Sequence, residues 1–147
     1  MTAKDYLNQY KNLTWEIERI EREIRDITDA IDSMAVNYDG MPRGSGISKK
    51  TEDIAIKLSS LENDKRKRMS KAWNKREEIT RTIAAVKNPA LSKLLYDRYI
   101  EFMSWERIAE DIGDSEFWPR DSLSAFWART EMHSRALEAV DKIINKR

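Results

Sequence analysis

Cysteine is absent from this 147-residue chain, histidine occurs once, glycine four times and proline three times, and the formal net charge is only +1. Without cysteine there is no disulfide framework and no thiolate chemistry, so the reducing cytosol is the expected compartment. One imidazole and no thiol leave too few donors for a zinc site, and no metal or other cofactor is expected. No apolar run approaches the ~20 residues that span a bilayer. The leading MTAKDYLNQYKN lacks the apolar core of a secretory signal. The expectation is a cytoplasmic protein with no membrane partner. A Ser-based triad lacks any GxSxG-type nucleophile motif, and the abundant acids look like solvated helix charges, so no enzyme is expected. Alternation of β-branched and polar residues is missing over any useful length, which leaves no sheet to build.

What the chain does have is charge and helical periodicity. Charged residues make up 36% and apolar ones 40%, a balance that suits long helices with solvated faces. Near the N-terminus Tyr6, Tyr10, Leu13, Ile17, Ile20, Ile24, Ile27, Ile31 and Met34 recur in unbroken alternating steps of four and three. A 3.5-residue repeat keeps one seam facing a partner helix, the signature of a coiled coil. Residues 37–48, NYDGMPRGSGIS, hold three of the four glycines and one proline, so the chain turns there. The Gly-Ser-Gly in this stretch lacks the spacing and leading strand of a phosphate-binding loop. A second helix, from about 50 to 86, carries Ile54, Leu58, Leu61, Met69, Ala72, Ile79, Ile83 and Val86 on its apolar side, with Lys65 and Arg76 falling there too. Together these segments predict an antiparallel hairpin roughly 45–55 Å long.

Asn88-Pro89 ends the hairpin and permits an immediate restart, because Pro suits a first helical position. A third helix is expected to about Met103, and a fourth from Ser104 to Ile112, closed by Gly113. The stretch DSEFWPRDS then turns, and a last helix is expected from about Ser122 to Ile144. Its inward face would be Leu123, Phe126, Trp127, Thr130, Leu137, Val140, Ile143 and Ile144. The other aromatics of this half, Trp105 and Phe117, are expected mostly in the core as well. Trp118, beside Pro119, is the best candidate for an exposed anchor onto a partner. The fold class is therefore all-α: an N-terminal antiparallel coiled-coil hairpin over 1–87 and a small C-terminal helix-turn-helix bundle over 88–147.

Charge is unevenly spread. Residues 1–36 carry 5 basic and 8 acidic side chains, residues 65–81 carry 8 and 2, and the last 60 residues carry 9 and 11. The basic stretch Lys65, Arg66, Lys67, Arg68, Lys71, Lys75 and Arg76 offers phosphate contacts, which would make binding salt-dependent. Set against that is a solvated helix facing the acidic first helix. A recognition helix needs exposed Arg, Ser or similar donors near its N-terminal half. Arg120, Ser122, Ser124 and Arg129, with His133 and Arg135 further along, are the candidates. Their alternative role is that of ordinary surface residues, with the arginines paired to Glu131 or Glu138. His133 is a packed or surface histidine before it is a catalytic base.

YDRYIEFMSWERIAEDIG, from Tyr96 to Gly113, resembles the entry to the C-terminal helix-turn-helix (the fourth conserved region) of bacterial sigma factors. HSRAL, from His133 to Leu137, resembles the end of that module's recognition helix. With DGMPRGSG at Asp39–Gly46, nearly the whole chain is similar to small phage late-transcription regulators of the ArpU/RinA-like family. The resemblance implies a phage or prophage DNA-binding regulator, with Trp105, Ile108, Ala109 and Gly113 in the supporting helix and His133–Leu137 in the recognition helix. It departs from the family pattern by about ten inserted residues, roughly 114–123, where a tight turn is normal. Double-stranded DNA, host RNA polymerase and a second copy of the chain are the partners so implied. Two other readings stand beside it: a non-enzymatic interaction module that has lost DNA reading, and an adaptor resembling small terminase subunits.

Overall fold

The computed structural model describes residues 1–37, 45–118 and 123–147, with the side chains of 34–37 and 45–48 left aside. The described residues are helical, with no strand among them. The order is α1 (Ala3–Asn37), α2 (Ser45–Ala84), α3 (Pro89–Tyr99), α4 (Trp105–Gly113), α5 (Ala125–Trp127), a π-helical turn (Ala128–Met132) and α6 (His133–Ile144). The last three follow one another without a break.

Local chemistry sets the starts. Asn88 Oδ1 accepts the amides of Ala90 and Leu91 at 3.0 and 3.3 Å, with Pro89 as the first helical residue. Ser104 Oγ accepts the Arg107 amide at 3.3 Å to open α4, and Ser124 Oγ accepts the Trp127 amide at 3.1 Å to open α5. Each cap satisfies donors that a helix start leaves orphaned. The third helix stops at Tyr99, short of the expected Met103. The chain then turns through Phe102, whose φ of 56° is left-handed, and the Met103 amide returns to the Asp97 carbonyl.

Two compact units divide the chain: residues 1–12 with 73–147, and residues 13–72. The division thus differs from the expected one at 87/88. The physical reason is one shared core. Tyr6 and Leu7 from α1 and Ile79 and Ile83 from α2 are buried in the same cluster as Leu94, Leu95, Ile108, Ile112, Ala136 and Val140. Thr82, fully buried, joins it by hydrogen bonds to the Tyr6 hydroxyl and to Arg147, both at 2.9 Å. The Ala3 amide donates to Asp141 at 2.9 Å.

In the unit of residues 13–72, Lys65 pairs with Glu21 at 3.3 Å and Arg68 pairs with Glu16. As α1 runs backward its partners advance along α2, so the two helices are antiparallel. The α2 residues facing inward are Ile54, Leu58, Leu61, Lys65, Arg68 and Ala72, again stepping by four and three. Met69, expected on this side, is exposed. Lys65 and Arg68 occupy seam positions instead, with their aliphatic stems along the seam and their charges on α1 glutamates.

Candidate nucleic-acid interface

The last helix differs from its expected phase. Phe126, Trp127 and Thr130 are expected inward, yet Phe126 is 68% and Trp127 46% exposed, and Thr130 is exposed too. The buried stripe is Ala128, Met132, Ala136 and Val140, in steps of four. An α-helix of 3.6 residues per turn cannot hold strict four-residue steps on one side for long. The π-turn supplies the surplus residue, since its i→i+5 bonding widens one turn. Residues upstream of it are thereby rotated relative to α-helical phase. Thr130 Oγ1 bonds the Phe126 carbonyl at 2.7 Å, which helps hold the widened turn.

This rotation decides which candidate side chains are presented outward. Arg129 is exposed and has no hydrogen bond or ion pair among the described residues. Ser124 is exposed but its Oγ is occupied as the cap. Arg135 is exposed and paired to Glu131 at 3.0 Å. Arg120 and Ser122 lie outside the described residues, as does Asp39–Arg43 of the loop that carries part of the resemblance.

His133 points the other way. Its Nε2 lies 2.7 Å from the Tyr99 hydroxyl, and the Trp105 ring meets it edge-on at 4.8 Å. Burial, then the nearby Lys4 and Arg98 charges, push the imidazole down to about 4. Burial pushes the Tyr99 phenol up to about 12. The phenol therefore keeps its proton and is hydrogen-bonded to a neutral ring, with the tautomer deciding which of the two donates. Arg98 stacks over Trp105 at 4.6 Å and donates to the Met103 carbonyl at 3.0 Å. The only histidine is thus a packing and hydrogen-bonding member of the α3–α4–α6 junction.

The expected roles of Trp118 and its neighbours also change. Trp118 packs against the core and is half-buried, whereas Phe117 joins Phe126 and Trp127 among the exposed aromatics. Gly113 lies where any side chain would meet the Leu123 amide at 3.4 Å, so the chain returns close to the end of α4. On α4 itself Glu106 and Glu110 are exposed, followed by Asp114 and Glu116, against the lone cation Arg107. The exposed side of α4 is therefore predominantly acidic.

A group that sequence reasoning passed over is Asp97. It is 3% exposed, and its Oδ2 has no hydrogen-bond partner. Burial pushes its carboxyl up to about 7; the Asp111 carboxylate adds to this and Lys93 opposes it. Lys93 is itself bound to Asp111 at 2.9 Å, clamping α3 to α4. A cleft of about 450 Å³ opens beside Asp97, lined by Ile83, Val86, Lys87, Tyr96 and Phe117 among others. The signal was an acid set inside the apolar ladder Leu94, Leu95, Tyr99 and Ile100. Among the described residues no cluster of three or more acidic or histidine side chains is placed to hold a metal ion.

The basic stretch of α2 resolves into two sets. Lys65, Arg68 and Lys75 are tied to Glu21, Glu16 and Glu78. Arg76 lies over the Trp73 ring at 5.6 Å and reaches the Tyr96 hydroxyl. Arg66, Lys67 and Lys71 are exposed and carry no ion pair among the described residues.

These features define an all-helical protein whose second helix and last helix each expose unpaired cations. Residues 31–120 match the family described as protein of unknown function (DUF1492), and with more than half of its length matched the chain belongs to that family. The match spans the end of α1, all of α2, α3 and α4, and stops before α5. No curated protein and no solved structure matches the chain.

Proposed function

We propose that this chain is a DNA-binding transcriptional regulator of phage or prophage origin, acting in the cytoplasm of a bacterial host as a probe of promoter-proximal sequence for late genes. In this reading α4 is the supporting helix and the leading turns of α5 and the π-turn are the reading head. The observation that carries it is the uncovered leading turn of the last helix, where Arg129 is unpaired beside exposed Thr130 while Ala128 and Met132 anchor the same turn in the core. A donor held rigidly on an exposed helix is what base-edge reading in a major groove requires. The resemblance to sigma-like modules supports the same reading. The antiparallel helices would serve to bring two copies together or to touch RNA polymerase.

A second reading is favoured by Phe126 and Trp127. Exposed neighbouring aromatics are common at the centres of protein interfaces, and the acidic side chains of α4 disfavour a polyanion there. This is the interaction module without DNA reading.

Selection from pooled phage and host DNA fragments at physiological salt, followed by sequencing, separates the two. Enrichment of one short site supports the regulator. Recovery of no site, with Phe126→Ala and Trp127→Ala abolishing capture of a protein partner, sinks it.

A further inference from the structure

We infer that the outward face of α2 between Ser59 and Lys71 docks the sugar–phosphate backbone of duplex DNA, as a contact separate from the reading head. The face is built from Ser59, Asn63, Arg66, Lys67, Ser70 and Lys71, all exposed. At 3.6 residues per turn these six fall within about 140° of the helix circumference and extend about 18 Å along it. Every side chain on it can donate a hydrogen bond, three carry full positive charge, and none is acidic or apolar. Asp64 and Lys57 stand at one margin and Glu62 at the other.

Ordinary solvation does not select such a face. The outward side of α1 in the same unit shows what solvation alone produces: Glu18, Arg19, Arg22, Glu23, Arg25 and Asp26 are exposed with the signs mixed. On α2, Lys65 and Arg68 are already neutralised by glutamates of α1. Between the flanking acids Glu62 and Asp64, what this face presents is positive and interleaved with Ser and Asn, the short donors that reach phosphate oxygens and sugars. Charge complementarity therefore points to a polyanion with regularly spaced acceptors.

The choice of duplex DNA as that polyanion rests on the regulator reading, but the contact carries no sequence information of its own. Each neutralised phosphate steepens the salt dependence of binding by about 0.9 in a log–log plot, so three contribute a slope of about 2.7. Between 50 and 200 mM salt that slope alone amounts to about 40-fold in affinity.

The test is an anisotropy titration of a labelled random-sequence 24-base-pair duplex with the full chain across that salt range. Wild type is compared with the triple variant Arg66→Gln/Lys67→Gln/Lys71→Gln, circular dichroism verifying that both are equally helical. The expected result is that the variant's slope is shallower by about two to three, whereas Arg129→Ala changes it by about one at most. An unchanged slope in the triple variant overturns the inference, as does absence of wild-type binding at 50 mM salt. Binding to vesicles of phosphatidylserine and phosphatidylcholine in place of the duplex overturns it in favour of a lipid surface. Site enrichment that persists in the triple variant would leave the regulator reading standing while the slope decides the α2 contact, so the two fail separately.

Discussion

Asp97 and Arg129 are the two side chains whose surroundings make the sharpest demands. For Asp97 the folded carboxyl is raised to about 7 from an ordinary value of 3.8. The folded state therefore holds a proton that the unfolded chain has released between those values. By linkage, the stability from this group is fully present below about pH 4 and is lost as pH rises through about 7. Wild-type melting temperature is expected to fall between pH 5 and pH 8. Asp97→Asn should remove most of that fall and melt higher than wild type at pH 8, as thermal circular dichroism at several pH values would show. Asp111 moves oppositely, its carboxyl held low by hydrogen bonds from Asp97 and Lys93, so its contribution is lost only below the ordinary carboxylate range. On the proposed regulator reading, Arg129→Ala should cost about tenfold or more in affinity for a selected site. Arg135→Ala, which only releases Glu131, should cost less than twofold; equal losses in a binding titration would remove Arg129 from the reading role.

At the level of elements, legibility followed how faithfully apolar side chains reported burial. The seam of α1 was readable because its inward positions are aromatic or aliphatic without interruption through Ile27; Ile31, the next step of the expected seam, is exposed. The starts of α3 and α4 were readable because Asn88-Pro89 and Ser104 carry their own capping chemistry. The inward side of α2 was only half readable, since Lys65 and Arg68 sit at core-facing steps and Met69 does not. Those two ion pairs are partly exposed, and such pairs contribute about 0–1 kcal/mol. Leucine at the same steps would bury apolar surface at about 25 cal/mol per Å². The double variant Lys65→Leu/Arg68→Leu is therefore expected to unfold at a temperature several degrees higher than wild type. A lower one would mean that the pairs fix the register of the two helices. The phase of the last helix is hidden in the sequence because the turn Ala128–Met132 departs from a period of 3.6. Buried Asp97 escaped notice because charge normally reports exposure.

Over the whole molecule the apolar core is concentrated in the unit of residues 1–12 and 73–147. In residues 13–72 the buried apolar side chains among those described are Leu13, Ile20 and Ala72. Local opening costs least where few apolar contacts must break. Amides of residues 13–33 and 49–72 are accordingly expected to exchange with deuterium at least tenfold faster than those of Leu94, Leu95 and Ile108. Equal protection, followed by mass spectrometry of proteolytic fragments, would show that these residues are held by more than their own two helices.

The π-turn gives the last helix an unusual way to change. A helix with one surplus residue relaxes to ordinary winding when any single residue of that turn is lost, and because five residues of the widened turn span nearly the rotation of four ordinary ones, everything upstream keeps its heading. Loss of one codon between Ala128 and Met132 would leave Phe126 and Trp127 facing outward while Ala136 and Val140 kept their places. Among descendants of such a sequence, the exposed surface could thus survive a change of length without one compensating substitution. Sequence comparison would register the event as a gap of one position inside a helix, although no side chain beyond that turn had altered its surroundings.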